Sequence, residues 1–176
     1  MNILFLHQNF PAQFTHFAPA LVAQGHLVLA LTTKSRPVDL PGVETRRYTL
    51  SRGTSPDAHP WITDCEAKTI RAEAVLQMCR TLKAEGFHPD VIIAHPGWGE
   101  SLFVKEVWPE ARLGLYCELF YRFEGQDTGF DPEFPVADDL TARARLKLKN
   151  MTTYLHDELA DAAISPTHWQ AASYPD

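Results

Sequence analysis

Asp90-Val91-Ile92-Ile93-Ala94-His95-Pro96-Gly97-Trp98-Gly99-Glu100 is the stretch on which the fold turns. Its unbroken apolar run suits a strand buried on both faces of a parallel sheet, and the glycine-rich break after it suits a turn into a helix running from Trp98 or Gly99 to Val107. Upstream, Pro60 to Gly86 is the longest helical pattern: Ile62, Cys65, Thr69, Ala72, Leu76, Cys79 and Leu82 advance by threes and fours as one buried stripe. Asp64, Lys68, Arg71, Glu73, Gln77 and Arg80 fall on the solvated side of that helix. At the amino end Asn2 to His7 is a second apolar strand. It leads into a helix over Gln13 to Gln24, with Phe14, Phe17, Leu21 and Val22 at helical spacing and Gly25 at the cap position. Leu27 to Thr32 and Glu44 to Leu50 follow as strands. Beyond the central stretch come a strand over Arg112 to Leu119, a long helix over Asp138 to Leu159 and a last strand over Ala162 to Ser165. Apolar strands alternating with helices predict an α/β fold, a doubly wound parallel sheet in a Rossmann-like three-layer αβα arrangement, because parallel strands need crossovers and the crossovers cover both faces.

The chain has 176 residues, 45% of them apolar, enough for one compact domain over residues 1–176. Twenty-two acidic residues outnumber 16 basic ones, giving a net charge of −6, and phosphate-backbone binding asks for the opposite balance, so nucleic acid is not expected as a partner. Cys65, Cys79 and Cys117 form no CxxC. On one helix Cys65 and Cys79 would stand about 21 Å apart, far beyond disulfide reach, which fits a reducing cytoplasm. No stretch approaches the roughly 20 apolar residues of a membrane span.

In open parallel sheets the ligand crevice lies beyond the carboxyl ends of the strands, so the residues that follow each strand carry the information. After the first come His7, Gln8, Asn9, Phe10, Pro11 and Gln13. The lack of glycine here argues against a dinucleotide fold, whose backbone must approach a pyrophosphate. Gln8, Asn9 and Gln13 are neutral hydrogen-bonding groups suited to sugar hydroxyls, or Asn9 caps the helix that Pro11 starts. At the second junction His95 would point into the crevice or serve as a packed or capping side chain, and Gly97 and Gly99 beside Trp98 would let a ligand approach a helix amino terminus. Glu100 is either a ligand contact or a complement to the helix dipole. Glu118, Tyr121 and Arg122, with the irregular excursion from Phe120 to Pro135 that carries Asp127 and Asp131, combine carboxylates and rings as carbohydrate sites do; a plain surface loop is the alternative. The excursion lacks the ligand order of an EF-hand, and His26, His59, His88 and His156 lack metal-ligand spacing, so no metal is expected. Arg143, Arg145, Lys147 and Lys149 split onto two sides of their helix, as a solvated surface would.

Three strings in order, His95-Pro96-Gly97-Trp98-Gly99-Glu100, Gly129-Phe130-Asp131-Pro132-Glu133 and Ser165-Pro166-Thr167-His168-Trp169-Gln170, together with the opening Asn2 to Phe14, resemble the amino-terminal domain of bacterial family-4 glycosyltransferases. Those are enzymes of the two-domain GT-B fold. The resemblance implies retaining transfer of a sugar from a nucleotide-sugar donor to a hydroxyl acceptor, without a metal or other cofactor. This half would hold a sugar, glycan or lipid-linked acceptor, and a carboxy-terminal domain absent from the chain would bind the nucleotide. It places His95 at the donor sugar or in proton handling and the loop from Asn9 to Gln13 opposite the donor diphosphate; the crevice reading itself offers Gln8, Asn9, Phe10, Gln13, Gly97, Trp98, Gly99, Glu100, Glu118, Tyr121, Asp127 and Asp131 as substrate contacts. The Gly-Gly pair common in the family's first loop is absent. A peripheral contact at the inner face of the membrane stays open, and the isolated domain is expected to have no turnover. The rival readings are a stand-alone glycan- or nucleotide-binding module and a GT-B nucleotide-sugar epimerase domain.

Overall fold

The computed structural model describes residues 1–134 and 140–175. Six parallel strands, β1 (Asn2–Leu6), β2 (Leu27–Thr32), β3 (Val43–Arg47), β4 (Val91–Ala94), β5 (Arg112–Tyr116) and β6 (Ala162–Ile164), form one sheet in the order β3-β2-β1-β4-β5-β6. The fold is thus the Rossmann-like doubly wound α/β sheet expected from the alternation. Winding reverses between β1 and β4, which makes their carboxyl ends the natural crevice. Alternation along the strands separates two cores. Leu4, Leu6, Leu29, Leu31, Ile92 and Leu113 pack under α2 (Thr63–Ala84) and α3 (Val104–Val107), whereas Ile3, Phe5, Val28 and Ala30 pack with Phe14 and with Ala18 of α1 (Phe17–Ala23). The second layer is incomplete. Phe17, Val91, Ile93, Tyr116, Ala162 and Ile164 line an open apolar trough on that face, and all of β6 is exposed.

Several elements are shorter than their sequence patterns. The helix expected over Gln13–Gln24 is a 3-10 turn at Ala12–Phe14 followed by α1. Pro19 explains the break: its ring cannot sit in a helix that also contains Thr15, the carbonyl four residues back, but it fits the first turn of a helix beginning at Phe17. The strands end early as well, at Arg47 rather than Leu50, Tyr116 rather than Leu119 and Ile164 rather than Ser165. The buried stripe of α2 keeps Ala72, Cys79 and Leu82 but exposes Ile62 and Thr69. Lys68, expected in solvent, is only 7% exposed, because the segment carrying Lys149 lies over it. The long carboxy-terminal helix is two helices, α4 (Leu140–Lys149) and α5 (Met151–Asp157), and the expected start at Asp138 lies outside the described residues. They part at Asn150, whose side chain is turned to Tyr121: Oδ1 accepts from its N–H and Nδ2 donates to its carbonyl, at 3.0 and 2.8 Å. A short α6 (His168–Ala171) is capped by the Thr167 hydroxyl. Among the described residues no helix is long and apolar enough to cross a membrane.

Candidate functional site

The helix expected from Gly99 to Val107 does not start there. A 3-10 turn, Pro96–Trp98, follows β4, then Gly99 takes the left-handed conformation at φ 85°, and α3 begins only at Val104. A Cβ on Gly99 would stand 2.7 Å from the Lys68 carbonyl, so this glycine lets the loop lie flush on α2. The junction therefore presents a hydrogen-bonded loop rather than a helix amino terminus.

That loop is organised around His95. Its Nδ1 accepts the Gly97 N–H at 3.0 Å, and its Nε2 stands 3.2 Å from Glu118 Oε2 at the end of β5. Since Nδ1 is an acceptor, the neutral ring carries its proton on Nε2 and donates it to the carboxylate. Burial lowers the His95 pKa, and the Glu118 charge offsets only part of that. His95 is thus a neutral donor whose one basic position is already spent on Gly97. This suits contact with a ligand oxygen better than proton abstraction. Gly97 fits because a Cβ there would lie 2.8 Å from His95 Cε1.

His95, Gly97, Trp98, Glu118 and Tyr121, five of the residues expected from sequence, line one cavity of about 450 Å³, within the usual size of small-molecule sites, roughly 300–1,000 Å³. Trp98 is 37% exposed and lies beside the His95 ring, centroids 5.7 Å apart. Lys68, Lys149, Trp169 and Gln170 are among the further lining residues that the crevice reading did not offer. The Lys68 ammonium pairs with Asp64 at 2.7 Å, and that of Lys149 lies 3.5 Å from the centre of the Tyr121 ring. Lys149 is therefore part of the cavity wall rather than one of four surface cations. Trp169 and Gln170 belong to a string that the resemblance singled out, but only the return of the chain after β6 brings them beside β4.

The other candidates go elsewhere. Phe10 is fully buried in the α1-side core and does not line the cavity. Asn9 is exposed and caps nothing: the 3-10 turn has Pro11 at its cap and α1 has His16. The Gln8 carbonyl is fixed by the Thr32 and Thr33 hydroxyls at 2.8 and 2.9 Å. Gln13 points to the open trough on the opposite face. Asp127 and Asp131 accept backbone N–H groups of Arg122 and Glu133 within the excursion and do not line the cavity. Glu100 is 1% exposed and is neither a dipole partner nor a surface contact. The Tyr48 hydroxyl donates to its Oε1, while Oε2 has no partner in full hydrogen-bond geometry. Burial pushes its carboxyl up to about 7 despite the pull of Tyr48, Arg71 and the Gln8 N–H. Arg71 also donates to the Trp98 carbonyl, so this buried group braces the loop from below. His156 braces it from α5: its Nδ1–H donates to the Thr152 carbonyl at 2.6 Å and its Nε2 accepts the Ser101 hydroxyl at 2.7 Å. No cluster of three metal-ligating side chains occurs among the described residues.

Residues 24–176 match a family model described as the glycosyl transferase family 4 group. The curated proteins yield no match. Among solved structures the chain is similar to Os79 from O. sativa in complex with U2F and trichothecene, at TM-score 0.61 and 12% identity, over 97% of this chain and 49% of that one. It is similar to UGT2 of Phytolacca americana at TM-score 0.56 and 13% identity, over 94% and 45%. A candidate UDP-N-acetylglucosamine 2-epimerase from Listeria monocytogenes aligns at TM-score 0.52 and 11% identity, over 98% and 41%. At these identities the structures speak for the fold, the Rossmann-like half of a GT-B architecture. The chain spans less than half the length of each of the three.

Proposed function

Since the chain belongs to the glycosyl transferase family 4 group, we propose that it is the acceptor half of a retaining transferase that moves a hexosyl group from a nucleotide-sugar donor to a hydroxyl acceptor. The observation that carries this reading is the cavity at the ends of β4 and β5, where the rings of Trp98, Tyr121 and Trp169 meet the His95–Glu118 pair. Rings of this kind cover the apolar faces of a sugar, while a half-exposed carboxylate accepts hydroxyl hydrogens and a neutral imidazole N–H donates to a ring or hydroxyl oxygen. A ligand hydroxyl inserted between His95 Nε2 and Glu118 would satisfy both at once.

A second domain would supply the nucleotide site and close a dry cleft over the acceptor. The 176-residue chain alone then binds glycans but has no turnover, because the electrostatic and positional contributions to catalysis need both walls. Titration of the chain with methyl glycosides and with nucleotide sugars tests this. Glycoside-dependent shifts of the Trp98 and Trp169 indole resonances, with negligible response to nucleotide sugars, are expected. Tight nucleotide-sugar binding by the chain alone would overturn the acceptor assignment in favour of a nucleotide-binding module.

A further inference from the structure

β1 and β4, the two strands that flank the reversal of winding, both end in a histidine, His7 and His95. The two rings are held by the same local device. The backbone N–H two residues on donates to Nδ1, from Asn9 to His7 at 3.1 Å and from Gly97 to His95 at 3.0 Å. Each neutral ring therefore carries its proton on Nε2. His95 gives that proton to Glu118, but His7 Nε2 meets no acceptor among the described residues, and it is not one of the sealed polar atoms that lack a partner. Only 4% of His7 is exposed, and its ring packs edge-on to His95 and Trp98, the rings that wall the cavity, with centroids 6.3 and 6.2 Å away. Burial, reinforced by repulsion from His95 whenever that ring is protonated and from Lys34, lowers its pKa to about 4, so the ring stays neutral across the working pH range.

We propose that His7, which stands behind the His95 and Trp98 rings rather than among the lining residues, is a substrate-binding residue, a fixed neutral donor whose Nε2–H meets a hydroxyl oxygen of the acceptor sugar beside those two rings. This rests on the reading of the cavity as an acceptor site. A donor already oriented needs no reorganisation when the oxygen arrives, while its Nδ1 lone pair is occupied and takes no part.

Two substitutions separate the binding role from a structural one. His7→Asn sets an amide oxygen where Nδ1 was, keeping the Asn9 contact and losing the outward donor. His7→Gln sets an amide N–H2 near Nε2 and gives up the Asn9 contact. Affinity for a panel of methyl hexopyranosides is measured by NMR on the 176-residue chain and both variants, with uridine diphosphate as the comparison probe. His7→Asn is expected to weaken glycoside binding about tenfold, one lost hydrogen bond, at an unchanged melting temperature, and His7→Gln to stay within about threefold. Glycoside binding by His7→Asn equal to the parent, or equal losses in both variants, overturns the role of His7 and leaves the acceptor reading intact. A parent chain that binds no glycoside overturns both. His7-dependent binding of uridine diphosphate, or a His7 ring that titrates between pH 5.5 and 8, overturns the assignment to a sugar hydroxyl.

Discussion

The loops after β1 and β4 use one device to opposite ends. In both, a histidine at the strand terminus accepts an N–H from two residues on and is fixed as the Nε2–H tautomer. After β4, Gly97 and Gly99 flatten the backbone against the His95 ring and α2, so the loop forms a cavity wall and His95 is tethered to Glu118. After β1 no glycine is present, Phe10 and Pro11 turn into the core, and the histidine is left with its donor unclaimed. A histidine's role at a strand end is thus set less by its own turn than by what the following residues bury.

The largest expected effect separates the two loops directly. In an enzyme carrying this domain, His95→Ala, which removes a preorganised hydrogen-bond donor, should lower kcat/KM by roughly 10²-fold, while Asn9→Ala should stay within about threefold, as for a surface polar group; steady-state kinetics on both variants decides. Equal losses would break the contrast.

Next comes the pH dependence of stability, where the brace beneath the β4 loop and the β1 histidine pull in opposite directions. The Glu100 carboxyl is raised to about 7 in the fold, so the native state holds its proton longer than the unfolded chain. Stability from this group is fully present below pH ~4.5 and is lost as pH rises through about 7, a loss on the order of 3 kcal/mol. His7, lowered to about 4, acts the other way: its contribution is present above pH ~6.5 and is lost as pH falls through about 4. Between those limits the two slopes oppose each other. Urea titrations at pH 5, 6, 7 and 8 should show Glu100→Gln removing the decline toward alkaline pH and His7→Asn steepening the net fall from acid to neutral. A Glu100→Gln variant with the parental slope would show that the carboxyl is charged and solvated at neutral pH.

Gly99→Ala should cost about 2 kcal/mol, from a left-handed φ and a Cβ pressed on the Lys68 carbonyl, visible as a lower urea midpoint at an unchanged m-value. The smallest effect is expected from Glu118→Gln, which keeps an acceptor for His95 but removes the charge. The His95 pKa, already below its usual value, should fall further with the fold unaltered, as read from imidazole shifts by NMR.

The sheet was legible because β1, β2 and β4 are short, uninterrupted apolar runs bounded by turn residues, the pattern of strands in a parallel sheet. The part of the site that lies on the strand ends, His95, Gly97, Trp98 and Glu118, was legible for the same reason. Lys68, Lys149 and Trp169 were not, because nothing in their local sequence distinguishes a cation or ring facing solvent from one facing a cavity built by a distant segment. Phe10 and Glu100 neighbour the crevice along the chain, yet the first packs in the α1-side core and the second makes a buried contact with Tyr48, the residue that follows β3. The extent of α1 failed on one residue, Pro19, whose missing N–H outweighs a favourable apolar spacing.

The apolar trough beside β6 has a practical side. Environment-sensitive dyes such as anilinonaphthalene sulfonate report exposed hydrocarbon, and Phe17, Ile93, Tyr116 and Ile164 offer it in the native state. This protein should therefore fluoresce with such dyes while fully folded. A dye-based melting curve would begin high and understate the transition, whereas calorimetry or near-ultraviolet dichroism follows the packing of the two cores themselves.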